Sequence, residues 1–185
     1  MQFKDPFQSQ IIIQDYLIQF MHLIDLPFEW KWKLIYRASI DGFGATDFHS
    51  KCDGKSPTLI ILKAKETGFI FGGYTEATWQ GDEIQKSDHN SFIFSLTNKD
   101  NNPCKLITTK PELSIFCSPD SGPSFGTGEI HIENNANLKN EFDSFSDLSE
   151  VYIHPQYGYG TNEAKTFLAG SYHFQLSDIE VFQNE

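Results

Sequence analysis

The spacing of apolar residues changes character once, at Pro27, and that change restricts the fold more than any other feature. Ahead of it Ile13, Leu17, Phe20 and Ile24 recur at helical spacing, with Ile12, Tyr16 and Leu23 beside them. Asp5 reads as an N-cap, Pro6 as the first helical position and Gln8 as the side chain reaching back, so a helix is expected to start there. Asp25-Leu26-Pro27 ends it. Beyond Pro27 the period is two: Trp30, Trp32, Leu34 and Tyr36 alternate with Lys31, Lys33, Ile35 and Arg37, as in a half-buried strand with a cationic outer edge. A lone amphipathic helix is marginal in water, so this one is expected to dock on the domain, with self-association through it as the alternative.

Short strands follow. Thr58–Lys65 is apolar on both parities and reads as a central strand, and Gly68–Tyr74 pairs with it as a hairpin across Glu66-Thr67-Gly68. Asn90–Leu96, Leu106–Thr109, Leu113–Cys117, Glu129–Glu133 and Tyr172–Phe182 are further strands. The last slips parity between Leu176 and Ile179, which predicts a bulge near Ser177-Asp178. A short helical segment ends near Cys52, after a break at Ser39-Ile40-Asp41-Gly42. Asn134–Glu150 and Tyr157–Glu163 read as long loops. The pattern is mainly β: a two-sheet antiparallel β-sandwich with flanking short helices. The 17 Phe supply the large rings that such a core needs.

Charge and cysteine usage exclude several functions. The net charge of −11 carries no offsetting Lys/Arg cluster, so nucleic acid and anionic lipid are disfavoured and a basic protein patch is the natural partner. No apolar run exceeds Leu59–Leu62, so neither a membrane span nor a signal-peptide core is expected. Cys52, Cys104 and Cys117 are odd in number without CxxC spacing, and no Asn-x-Ser/Thr acceptor occurs; both point to a reducing, cytoplasmic compartment.

Chemistry-bearing residues do not assemble into a recognisable centre. Glu129, His131 and Glu133 share one strand parity and could hold a divalent ion, but the pattern fits a solvated outer face. His49 and Cys52 are helical neighbours without a third orienting group, so Cys52 reads as a small core residue. Gly122, Gly126 and Gly128 around Ser124-Phe125 suggest an anion loop yet lack the Lys and the following helix, and a sharp turn between strands explains them better. Gly72-Gly73 fits a bulge or a close backbone approach. No metal, cofactor or catalytic residue is assigned.

The segments Trp32–Ser39 with Asp41-Gly42-Phe43, Phe48–Cys52, Pro57-Thr58-Leu59, Ile70–Thr75 with Trp79, and Ser91–Leu96 come in a recognisable order. They are followed by Gly122–Gly126, Phe167–Gly170 and Ile179–Phe182. Together they resemble the TLDc domain, over about residues 30–182. The resemblance implies a β-sandwich, a link to oxidative-stress protection, and binding to the vacuolar proton-pumping ATPase that promotes its disassembly or inhibits it. It implies a position at the cytosolic face of acidic organelles through that partner. No catalytic centre comes with it.

The expected organisation is an N-terminal helical extension over 1–29 and a TLDc domain over 30–185. The expected function is a non-enzymatic interaction module. Loops on a rigid sandwich commonly carry recognition, which singles out Tyr74, Thr75 and Glu76 after the paired glycines and Pro123, Ser124 and Phe125 in the second glycine-rich loop. The alternatives are a thiol-based antioxidant enzyme or hydrolase, and a carbohydrate-binding sandwich.

Overall fold

A computed structural model of the chain describes residues 5–139 and 143–185. Among them are two antiparallel sheets of six strands each. The first runs β1 (Trp32–Arg37), β12 (Leu176–Asn184), β2 (Thr58–Ala64), β3 (Ile70–Thr75), β5 (Phe92–Ser95), β6 (Cys104–Ile107). The second runs β11 (His173–Phe174), β10 (Ser144–Phe145), β9 (Ile130–His131), β8 (Ser124–Phe125), β7 (Ile115–Cys117), β4 (Ile84–Lys86). Four α-helices among the described residues flank them: α1 (Gln14–Ile24), α2 (Ala38–Asp41), α3 (Ala45–Cys52) and α4 (Asn162–Thr166).

The two parities of β2 explain the layering. Ile60, Leu62 and Ala64 enter the cluster between the sheets, with Phe71, Ile93, Phe125 and Val181. Leu59 and Ile61 point the other way, into a second cluster with Tyr74, Phe92, Phe94 and the α1 residues Leu17, Phe20 and Ile24. The first sheet is therefore covered on both faces, and runs at its middle, Leu59–Leu62 in β2 and Phe92–Phe94 in β5, are apolar and buried at consecutive positions. Phe20 is fully buried, edge-on to Phe94 at 5.2 Å. Truncating it to alanine should cost about 3–5 kcal/mol. The N-terminal helix thus docks on the domain, while its Ile18 and the preceding Ile13 remain exposed.

The helix starts later than the Asp5-Pro6 signature predicts. Asp5 does cap locally, accepting from the Phe7 amide at 2.8 Å, but Gln8 takes a left-handed φ of 52° and the helix begins only at Gln14. Side chains replace helical bonding in between. The Ser9 hydroxyl accepts from the amides of Ile11 and Ile12, and Glu180 accepts from the Gln10 amide.

Three other departures have physical causes. A register shift between Leu34 and Tyr36 in β1 turns Tyr36 into the inter-sheet core, away from the face that Trp32 and Leu34 share. The expected final strand divides: His173–Phe174 pairs in the second sheet, and Leu176 onward pairs in the first, with the anticipated bulge between Leu176 and Asp178. The polar segment read as a loop over 134–150 contains β10, and the glycine-rich loop contains β8, both only two residues long.

Candidate functional site

The first group of residues singled out by sequence is tied through a buried polar network to Gly126, which directly follows the second group. Thr75 Oγ1 and the Glu76 amide donate to Asp88 Oδ2 at 2.7 and 2.6 Å, and the Asn90 amide donates to Asp88 Oδ1 at 2.9 Å. Ser114 Oγ donates to the Asp88 carbonyl at 2.7 Å, and the Gly126 amide donates to the Ser114 carbonyl at 2.9 Å. The Tyr152 hydroxyl donates to that same Ser114 carbonyl and meets Ser91 Oγ at 2.6 Å. Buried polar groups that are all satisfied hold a loop in one conformation.

The paired glycines bring these segments together. A Cβ on Gly72 would lie 2.0 Å from the Ile60 carbonyl oxygen, and one on Gly73 would lie 2.6 Å from the Phe125 ring. Phe125 fills the space above Gly73 and packs edge-on to Trp79 at 5.5 Å. This is close backbone approach within a continuous strand, and β3 needs no bulge there.

Five of the six singled-out residues are buried: Tyr74, Thr75, Pro123, Ser124 and Phe125. Glu76 is exposed, and Tyr74 and Asn90 hold its carboxylate at 3.1 and 3.0 Å. Tyr74 and Ser124 open on opposite faces of the sandwich into separate depressions. The first, about 340 Å³, is lined by Leu26, Trp30, Tyr74, Glu76, Lys105 and Ile107 among others. Tyr74 stacks on Phe92 at 5.3 Å, and Lys105 lies 4.0 Å from the Phe92 ring while donating to the Ile24 carbonyl. Burial, with the Glu76 carboxylate adding, pushes the Tyr74 hydroxyl above its ordinary range, and burial lowers Lys105.

The second depression, about 220 Å³, lies on the outer face of the second sheet and includes Gln85, Phe116, Ser124, His131 and Phe145. Ser124 and His131 are directly opposed across β8 and β9. Ser124 Oγ is 3.0 Å from His131 Nδ1, and His131 Nε2 is 3.1 Å from Glu133 Oε1. The imidazole stacks on Phe145 at 4.9 Å. Hydroxyl, imidazole and carboxylate therefore stand in the order of a nucleophile, a base and an orienting acid. Sequence reading missed this because the pairing of Ser124 with His131 depends on a hairpin between two-residue strands. The neighbouring amides of Gly126 and Thr127 are already engaged, by Ser114 O and Glu129 Oε2, and do not point at an oxyanion.

Glu129 leaves the row in which the alternation placed it. It is fully buried, and its carboxylate accepts from the amides of Thr127, Glu150, Val151 and Tyr152. Burial raises its pKa above the ordinary carboxylate value, while those amides pull it down. The solvated outer face holds only for His131 and Glu133. Among the described residues no group of three His, Cys, Asp or Glu could hold a metal.

Cys52 and Cys117 are buried and Cys104 is half-buried. Cys52 is fully buried, and burial raises its pKa far above the usual thiol value, with Asp53 adding to the effect. Cys104 and Cys117 are each pushed up to about 11, chiefly by burial. His49 turns away from Cys52: its Nδ1 meets Asp53 at 2.7 Å and its Nε2 meets the Ser118 carbonyl at 2.9 Å. Reactive cysteines sit in the opposite environment, exposed and with a lowered pKa. No helix among the described residues is long and apolar enough to cross a membrane.

Comparison with known proteins agrees with this architecture. The chain is similar to the MTOR-associated protein MEAK7 of Gallus gallus, 23% identical over 163 residues, which are 82% of this chain and 31% of that protein. The Xenopus laevis protein of the same name is 31% identical over 80 residues, 42% of this chain and 17% of that one. The chain thus spans about a third or less of the length of these relatives. The family model of the TLDc domain matches residues 6–185, nearly all of the sequence, and the chain belongs to the TLDc domain family.

Proposed function

We propose that this chain is a recognition module that docks on a multiprotein complex through the loops at the Asp88 end of the sandwich. One observation carries the reading: the loops are held rigidly from inside by Asp88, Ser114 and Tyr152, yet they present Glu76 outward. A preorganised surface loses little freedom on binding. Glu76 is the contact residue of this reading, and Tyr74, Thr75, Pro123, Ser124 and Phe125 shape the loops beneath it. The resemblance noted from sequence favours the vacuolar proton-pumping ATPase as the complex and oxidative-stress protection as the setting. The relatives' name associates them with mTOR, which makes mTOR complexes the comparison partner.

The test is affinity capture from eukaryotic lysate on the immobilised chain, with and without ATP, read by quantitative mass spectrometry. Enrichment of ATPase subunits that is lost with Glu76→Lys is the expected result. Recovery of none under either condition would remove the ATPase from the reading.

A second reading, hydrolysis, is favoured by the Ser124–His131–Glu133 row and opposed by the engaged amides beside it. A fluorophosphonate probe that labels the protein at Ser124 would support it, and absence of labelling would dismiss it. The thiol-enzyme reading finds no support in the three cysteines, whose pKa values are all raised.

A further inference from the structure

We propose that the depression around Ser124 and His131 is a socket for the guanidinium group of an arginine on a partner protein. The proposal rests on the reading of the domain as a recognition module and names the chemistry of one contact.

The polar side chains that line the pocket have acceptor capacity to spare. The Glu133 carboxylate only accepts, so His131 Nε2 carries the hydrogen between them and leaves Nδ1 as an acceptor in the neutral ring. The Ser124 hydroxyl hydrogen then goes to Nδ1, and its lone pairs remain for a ligand. Gln85 supplies a further acceptor that nothing satisfies. Its Oε1 is buried without a hydrogen-bond partner, and its Nε2 reaches the Gly126 carbonyl only at 3.4 Å. A small rotation of the carboxamide toward the pocket gives up little and gains a donor, which relieves a costly unmade bond.

Aromatic rings and charge select among donors. Phe116 and Phe145 line the depression, and its lining residues include no lysine or arginine. Lys86, next to Gln85 on β4, is turned away and bonded to the Thr78 carbonyl at 2.6 Å. Glu133 lies behind the His131 ring, 3.1 Å from its Nε2, and Glu150 accepts from the hydroxyl of the lining residue Thr127 at 2.9 Å. Acceptors, ring faces and negative charge together favour a cation. The planar guanidinium, with five donors and a stacking face, matches several separate acceptors better than an ammonium does. The chain's net charge of −11 draws a basic partner surface toward it.

The test titrates the whole chain with N-acetyl-arginine methylamide, N-acetyl-lysine methylamide and the neutral isostere N-acetyl-citrulline methylamide, read by NMR. The Gln85 side-chain amide and the His131 ring should shift saturably with the arginine probe, and binding should be about tenfold tighter than for citrulline. Gln85→Leu and Glu133→Gln should each weaken arginine binding several-fold, with thermal melts confirming that both variants fold. Equal response to arginine and citrulline, equal affinity for lysine, or shifts lying elsewhere would each overturn the socket. ATPase capture that persists in Glu133→Gln would sink the socket while leaving the recognition reading intact. Arginine binding without ATPase capture would sustain the socket and remove only that partner.

Discussion

Arg37 and Glu180 form a buried ion pair, with Nε and Nη2 of Arg37 at 2.9 and 2.8 Å from Glu180 Oε1 and the two side chains 9% and 0% exposed. The same carboxylate accepts from the Gln10 amide at 2.8 Å and from the Ser9 hydroxyl at 2.5 Å. One residue of β12 thereby ties edge strand β1 and the segment leading into α1 to the first sheet.

Removing that carboxylate should both destabilise the domain and loosen its N-terminal segment. Glu180→Gln leaves Arg37 buried without its counter-charge, and the expected loss is about 3–5 kcal/mol by chemical denaturation. Hydrogen exchange should accelerate at Ile11, Ile12 and along α1 before it does in β2. Uniform acceleration throughout would show that the clasp has no local role.

The paired glycines should differ in tolerance. In Gly72→Ala the new methyl meets backbone, the Ile60 carbonyl, which cannot move without opening the β2–β3 ladder. In Gly73→Ala it meets the Phe125 ring. Overpacking of the second kind costs about 1–3 kcal/mol, and the first should exceed it. Phe125→Leu should partly rescue Gly73→Ala, a coupling of about 1 kcal/mol, and leave Gly72→Ala unrescued.

Glu129 should prove structural. Glu129→Gln puts an amide donor where Thr127, Glu150, Val151 and Tyr152 need acceptors, with an expected cost of about 1–3 kcal/mol. Glu133→Gln, on the same strand parity but half-buried, should change the melting temperature little. Equal effects would contradict the separation of the two carboxylates.

His154 sets a pH dependence. It is buried at 6% exposure, stacked on Tyr157 at 4.5 Å, and its Nδ1 accepts from the amides of Gln156 and Tyr157. Burial lowers its pKa below the ordinary histidine value of 6.5, with Asp100 opposing. The folded state therefore takes up a proton less readily than the unfolded chain. The stability it contributes is complete above the unfolded pKa and is lost as pH falls through the lowered folded value. Asn keeps an acceptor near Nδ1 and does not titrate, so His154→Asn should flatten the stability profile between about pH 7 and pH 5. An unchanged slope would assign the acid sensitivity elsewhere.

How much could be read in advance depended on segment length. Thr58–Lys65 and Gly68–Tyr74 announce themselves, because two-sided burial puts consecutive apolar residues, Leu59–Leu62 and Phe69–Phe71, inside them. The slip in β12 was visible for the same reason: nine residues are enough to expose a change of parity. β8, β9 and β10 have two residues each, too few for any period to register. The Asp5-Pro6-Gln8 signature misled because Glu180, 170 residues away from Gln10, supplies acceptors that compete with helical bonding.

Local pattern alone determined the layered β architecture, the amphipathic N-terminal helix and the TLDc likeness. Each rests on periodicity or order along the chain, which neighbouring residues express without knowledge of the fold. Tertiary structure decided which polar residues matter. Whether Glu129 is solvated or buried, whether Ser124 meets His131, and whether Gln85 Oε1 is left without a donor all depend on strand register and on what packs opposite. The energies of charge and hydrogen bonding are fixed by distance and burial in space, and sequence spacing records neither.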